Sequence, residues 1–128
     1  MEALRANARG LYCAEAAVRL LSGHLGWLLR GDFVAAFVET GESFDGVLMA
    51  WVDWSGAVAA LEVGRLPCSS SEGRVLRIAA SLAEGVVVDL REAVSGLDTV
   101  NIVRVAQAIV HAGGHRDCAV TVTGTDTR

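Results

Sequence analysis

Between Ser69 and Gly114 the chain is punctuated so regularly that its helices can be read directly. Ser69-x-x-Glu72 has the form of a capping box, in which each side chain satisfies a backbone N–H that the first helical turn leaves unpaired, and Gly85 closes the segment. Asp89-x-x-Glu92 opens a second, shorter segment that stops at Gly96, and Asp98 opens a third that runs to Gly113-Gly114. Residues 69–114 therefore read as a three-helix unit. In its first helix Val75, Ala79 and Leu82 share one face, opposite Arg74, Arg77, Ser81 and Glu84. In its third, Ile102, Val105 and Ile109 read as inward beside Val103, Ala106 and Val110. That leaves Asn101, Arg104, Gln107 and His111 as the outer face. Leu97, apolar between a helix stop and a cap, is expected to be buried.

Upstream, Leu11, Ala14, Val18, Leu21, Leu25 and Leu28 recur at intervals of three and four, predicting one long helix over 11–30 with Glu15 and Arg19 paired on its far side. Gly31-Asp32 ends it and caps a short helix from Phe33 to Glu39. Thr40 to Gly46 reads as a loop. Val47 to Val52 is an apolar run of six, strand or helix by its period. Asp53 is placed to cap a helix from Trp54 to Val63, and Leu66-Pro67 forces an extended link to Ser69. Cys118 to Thr123 alternates like a strand, and residues 1–10 and 119–128 read as frayed termini. The expectation is an all-α single domain over 1–128, a compact bundle of five to six helices with room for one short C-terminal strand.

Hydrophobic residues make up 52% of the chain and charged ones 20%, so apolar surface is in surplus for 128 residues. A domain of that size buries roughly two-thirds of its unfolded surface, and a second copy is the commonest cover for the rest. A homodimer is therefore expected. Leu20, His24 and Trp27, which widen the apolar surface of the first helix, are candidate interface residues together with Trp54; Trp51 is assigned to the core. The net charge of −4 offers no basic field for nucleic acid or anionic lipid. All 11 basic residues are arginine, and they are scattered. No secretory signal pattern follows Met1-Glu2, and the ten-residue run Leu20 to Leu29 is too short to cross a bilayer. Cys13, Cys68 and Cys118 fit no disulfide framework, so free, mostly buried thiols in a cytoplasmic protein are expected.

The stretch from Trp51 to Gly114, with AWVDW, GRLPCSSSE, RIAASLAEG, VDLREAVSGLD and HAGGH, resembles small uncharacterised proteins that recur in high-GC Gram-positive bacteria. That resemblance implies no activity. Residues 87–114 are similar in texture to the helix-turn-helix of winged-helix repressors. In that family a short helix ending in Gly-Leu precedes a recognition helix, and the Val120–Val122 segment would stand where a wing begins. The resemblance implies that Asn101, Arg104, Gln107 and His111 face DNA, although Leu97-Asp98 makes a shorter turn than the family carries. His111-x3-His115-x2-Cys118 contains metal-ligating types but breaks at Gly113-Gly114 and has no fourth ligand nearby, so no metal is assigned. Glu39, Glu42, Asp45 and Asp53 flank the 40–46 loop as ordinary surface acids, and neither a nucleophile elbow nor a phosphate loop is present; no catalytic residue and no cofactor are assigned. The sequence thus favours a non-enzymatic interaction or regulatory module. A DNA-binding regulator is the second reading, and a small-ligand binder or enzyme the third.

Overall fold

The structure, a computed structural model, describes residues 1–24 and 26–124. It is mostly helical, 59%, with seven α-helices and one antiparallel hairpin among the described residues, so the fold is not purely α. In chain order the elements are α1 (Glu2–Ala8), α2 (Tyr12–His24), a 3-10 turn (Trp27–Leu29), α3 (Gly31–Phe37), β1 (Val38–Glu42), β2 (Leu48–Val52), α4 (Trp54–Glu62), α5 (Ser70–Glu84), α6 (Leu90–Val94) and α7 (Thr99–Ala112).

The caps form where the sequence places them. Glu72 Oε1 accepts from the Ser69 N–H at 2.8 Å while Ser69 Oγ accepts from the Glu72 N–H at 3.2 Å, and Gly85 ends α5 in the left-handed region at φ 69°. Asp53, Asp89 and Asp98 accept from Gly56, Glu92 and Asn101 N–H groups at the starts of α4, α6 and α7. Leu97 is half-buried against the core.

Four expectations are corrected. The expected long helix over 11–30 ends at His24, Leu25 lies outside the described residues, and the chain resumes as the 3-10 turn. Gly23 and Gly26, both poor helix formers, bracket this change. It lets Trp27 enter the core, where its indole N–H donates to the Glu72 carbonyl at 2.8 Å and its ring lies 5.2 Å from Phe33. The expected loop over 40–46 is strand through Glu42 and a turn only from 43 to 46. Val38 pairs with Val52 and Glu42 with Leu48, and the apolar run after Val47 is β2. The expected loose start is α1, whose Leu4 and Ala8 are buried and which packs on β2 and α2. Residues 118–123 form no strand. Gln107 holds the segment instead: its Nε2 donates to the Cys118 carbonyl and its Oε1 accepts from the Val120 N–H, both at 2.8 Å. Residues 125–128 of the expected tail lie outside the described residues.

Helix α2 is the centre of the molecule, packed along α5 and α7. Its buried face joins Trp27, Phe33, Val75 and Leu76 in one core. Leu20 (3% exposed), Trp27 (0%) and Trp54 (6%) belong to that core, so these candidate interface residues are corrected to interior ones. Their apolar area is buried within the chain's own core. Trp51 reverses in the opposite sense: it is 39% exposed on the outer face of the hairpin, its indole lying over Gly41.

Candidate functional site

The face of α7 that hydropathy sets toward solvent is in large part the face that packs. Asn101, Val105, Ala108 and His111 are buried, while Val100 and Ile109 are exposed. Burying an amide and an imidazole costs little only when each finds a partner, and α2 supplies both. Asn101 Oδ1 accepts from His24 Nδ1 at 3.2 Å; His111 Nε2 lies 2.8 Å from Glu15 Oε1, and Arg19 Nη1 lies 3.1 Å from His111 Nδ1. Asn101 and His111 are therefore corrected from a DNA-facing surface to an interhelical seam. Arg104 remains exposed, and it lines a small cavity of about 150 Å³ with Leu20 and Gln107.

The seam fixes a protonation pattern. A guanidinium has only donors, so His111 Nδ1 must accept from Arg19 and the ring proton must sit on Nε2, from which it is donated to Glu15. Glu15 also accepts from the Gly10 N–H at 2.8 Å, and Arg116 approaches it at 3.4 Å. The His111 hydrogen bond first, then the Gly10 amide and the charge of Arg116, hold the Glu15 carboxyl below the usual carboxylate range against the opposing effect of burial. Arg116 is held from a second side, its guanidinium 5.3 Å over the Tyr12 ring.

Above this seam, α1, α2 and the turn after α7 enclose a cleft of about 530 Å³. Arg5, Arg9, Arg19 and Arg116 line it, with Ala8 and Val18 supplying apolar floor. These are four of the chain's 11 basic residues, gathered on one cleft of a molecule whose net charge is −4. Elsewhere Arg30 pairs with Asp32 and Arg77 with Glu62. Among the described residues Arg5, Arg9 and Arg19 have no carboxylate partner. Two acids also line the cleft: Asp117, which is exposed, and Glu15, which is already engaged by three donors. The arrangement leaves cationic forks over an apolar floor, a geometry chemically able to hydrogen-bond a carboxylate.

The remaining sequence-derived candidates do not converge here. His24 is half-buried, its Nδ1 bonded to Asn101 and its Nε2 buried without a hydrogen-bond partner among the described residues. Glu39, Glu42 and Asp45 lie along the hairpin, and Asp53 is spent on the α4 cap. Among the described residues no three His, Cys, Asp or Glu side chains stand close enough to hold a metal ion; His115 and Cys118 are exposed beyond the end of α7. Cys13, Cys68 and Cys118 are free but exposed, a correction to their expected burial. Arg5, Arg9 and Arg116 were not singled out by sequence. Only the i, i+4 spacing of Arg5 and Arg9 hinted at a shared face.

Comparison of the chain with protein-family models, with curated proteins and with solved structures finds no match. No helix among the described residues is long and apolar enough to cross a membrane.

Proposed function

We propose that this protein is a non-enzymatic recognition module that binds a carboxylate-bearing partner in the arginine cleft between α1, α2 and the end of α7. The observation that carries the reading is the convergence of Arg5, Arg9, Arg19 and Arg116 on one cleft of a net-negative chain, three of them without an acidic partner among the described residues. Clustered arginines focus potential and draw anions even when the whole molecule is negative. A binding role rather than a chemical one is supported by His111, the one histidine at the cleft: both its ring nitrogens are occupied, leaving no free base. Three cysteines left as free thiols support a reducing cytoplasm as its place of work.

The test is fluorescence anisotropy with a labelled peptide of alternating glutamate and phenylalanine. Binding that weakens as salt is added, and that is lost in Arg9→Glu, is the expected result. Binding indifferent to salt and to Arg9→Glu, or no binding at millimolar peptide, contradicts the reading.

A further inference from the structure

The β1–β2 hairpin ends in a turn that is closely pinned and carries one large apolar side chain. The Ser43 N–H donates to the Val47 carbonyl at 2.8 Å, the Gly46 N–H donates to the Ser43 carbonyl at 3.0 Å, and the Val47 N–H donates to Ser43 Oγ at 3.1 Å. Gly46 takes the left-handed conformation at φ 84° that closes such a turn. At its corner sits Phe44, fully exposed at 109%, with Leu48 (58%) beside it. Exposing a whole phenyl ring forfeits the stabilisation that its burial yields. Glu42 and Asp45 flank the ring, both exposed, and Glu39 follows along β1. The tip is thus an aromatic body between carboxylates, the chemistry that the arginine cleft is shaped to receive. A volume of about 530 Å³ is within the range of ligand sites.

We infer that the occupant of the cleft is the hairpin tip of a second copy of this chain, Phe44 seated on the apolar floor with Glu42 and Asp45 against the arginine rim. This rests on the cleft being a carboxylate receptor, as proposed above. A chain's own tip does not fill its own cleft, since Phe44 is wholly exposed. Each copy brings one tip and one cleft, so a two-fold pair satisfies both at once. Helix α1, which carries Arg5, packs on β2 of the hairpin, so the two features lie on adjoining elements that can reach across a common axis. The homodimer expected from composition is retained by this arrangement. Its contact moves from Leu20, Trp27 and Trp54 to the tip and the cleft.

Charge reversal tests the pairing without requiring its register. One chain carries Glu42→Arg with Asp45→Arg, the other Arg5→Glu with Arg9→Glu; all four positions are exposed, and circular dichroism checks that each chain is folded. The wild-type protein at tens to hundreds of micromolar should scatter light as two chains, twice 13.4 kDa. Each reversed chain alone should be a monomer, because its tip and cleft now carry the same sign. Mixing the two should restore the two-chain mass. Phe44→Ala, a truncation of a side chain that supports no core, should be monomeric as well. A wild-type mass of one chain, growth beyond two chains, or a dimer unmoved by either reversal overturns the inference. If the wild-type protein is a monomer but binds the glutamate–phenylalanine peptide in an Arg9-dependent way, the second-copy assignment fails while the carboxylate-receptor reading stands. If the peptide does not bind either, both fail.

Discussion

At the scale of single residues, Glu15 and His111 hold the account together. Glu15 is 12% exposed at its side chain and His111 4%, and together they join α2 to the end of α7 across 96 positions of sequence. Because its pKa is lowered in the folded state, Glu15 contributes stability that is fully present above its unfolded value, about 4.3, and is lost as pH falls through the lower folded value. Glu15→Gln should therefore destabilise the protein by about 1.5–3 kcal/mol at pH 7, the magnitude of hydrogen bonds to a charged acceptor. The gap from wild type should narrow below pH 4. Urea denaturation across pH measures this, and a gap independent of pH would contradict the role given to Glu15. His111→Leu makes a complementary case: the ring's removal leaves Glu15 with one donor fewer in a nearly closed seam, so a loss of about 2 kcal/mol or more is expected, read from the same titrations. Neither residue could be placed from sequence. Hydropathy sets a histidine outward, and its partner Arg19 lies 92 residues away.

At the scale of elements, what was legible follows from how local each signal is. A capping box is complete within four residues, so the start of α5 could be read from Ser69 and Glu72 alone. Asp98 is equally local. Asp98→Ala should remove the acceptor for the Asn101 N–H and cost about 1 kcal/mol, with melting temperature as the measure. The hairpin was only half legible. Its β2 segment is apolar and β-prone, but β1 contains Gly41 and two glutamates, residues depleted in strands, and is supported across the pair by Val38 opposite Val52 and by the Trp51 indole over Gly41. Leu97 is half-buried rather than fully so, which puts Leu97→Ala at the low end of the core range, about 2 kcal/mol. A loss of four or more would mean that the α6–α7 corner is packed more deeply than the structure shows. The α7 stripe holds at Val105 and Arg104 but departs at Asn101, His111 and Ile109 for a physical reason: once Asn101 and His111 have partners they are no costlier to bury than Ile109 is to expose.

At the scale of the whole molecule, the apolar surplus and the charge distribution point to the same ends of the fold. The tryptophans expected on the surface fill the core, so the surplus is absorbed largely within the chain. What remains outside includes the hairpin tip and its neighbours. The arginine cleft was invisible to sequence because its four cations come from α1, the turn after it, α2 and the turn after α7, separated by up to 111 positions (116 − 5). Only the folding of α1 onto α2, against the expectation of a loose terminus, brings them together. The most direct test is therefore a nuclear magnetic resonance titration that follows the arginine side-chain N–H signals as the glutamate–phenylalanine peptide is added to the chain bearing Glu42→Arg and Asp45→Arg, whose own tip cannot compete. The account expects the native Arg5, Arg9, Arg19 and Arg116 signals to move together and saturate, while Arg74, Arg77 and Arg91 stay in place. Shifts confined to arginines outside the cleft, or none at saturating peptide, would contradict it.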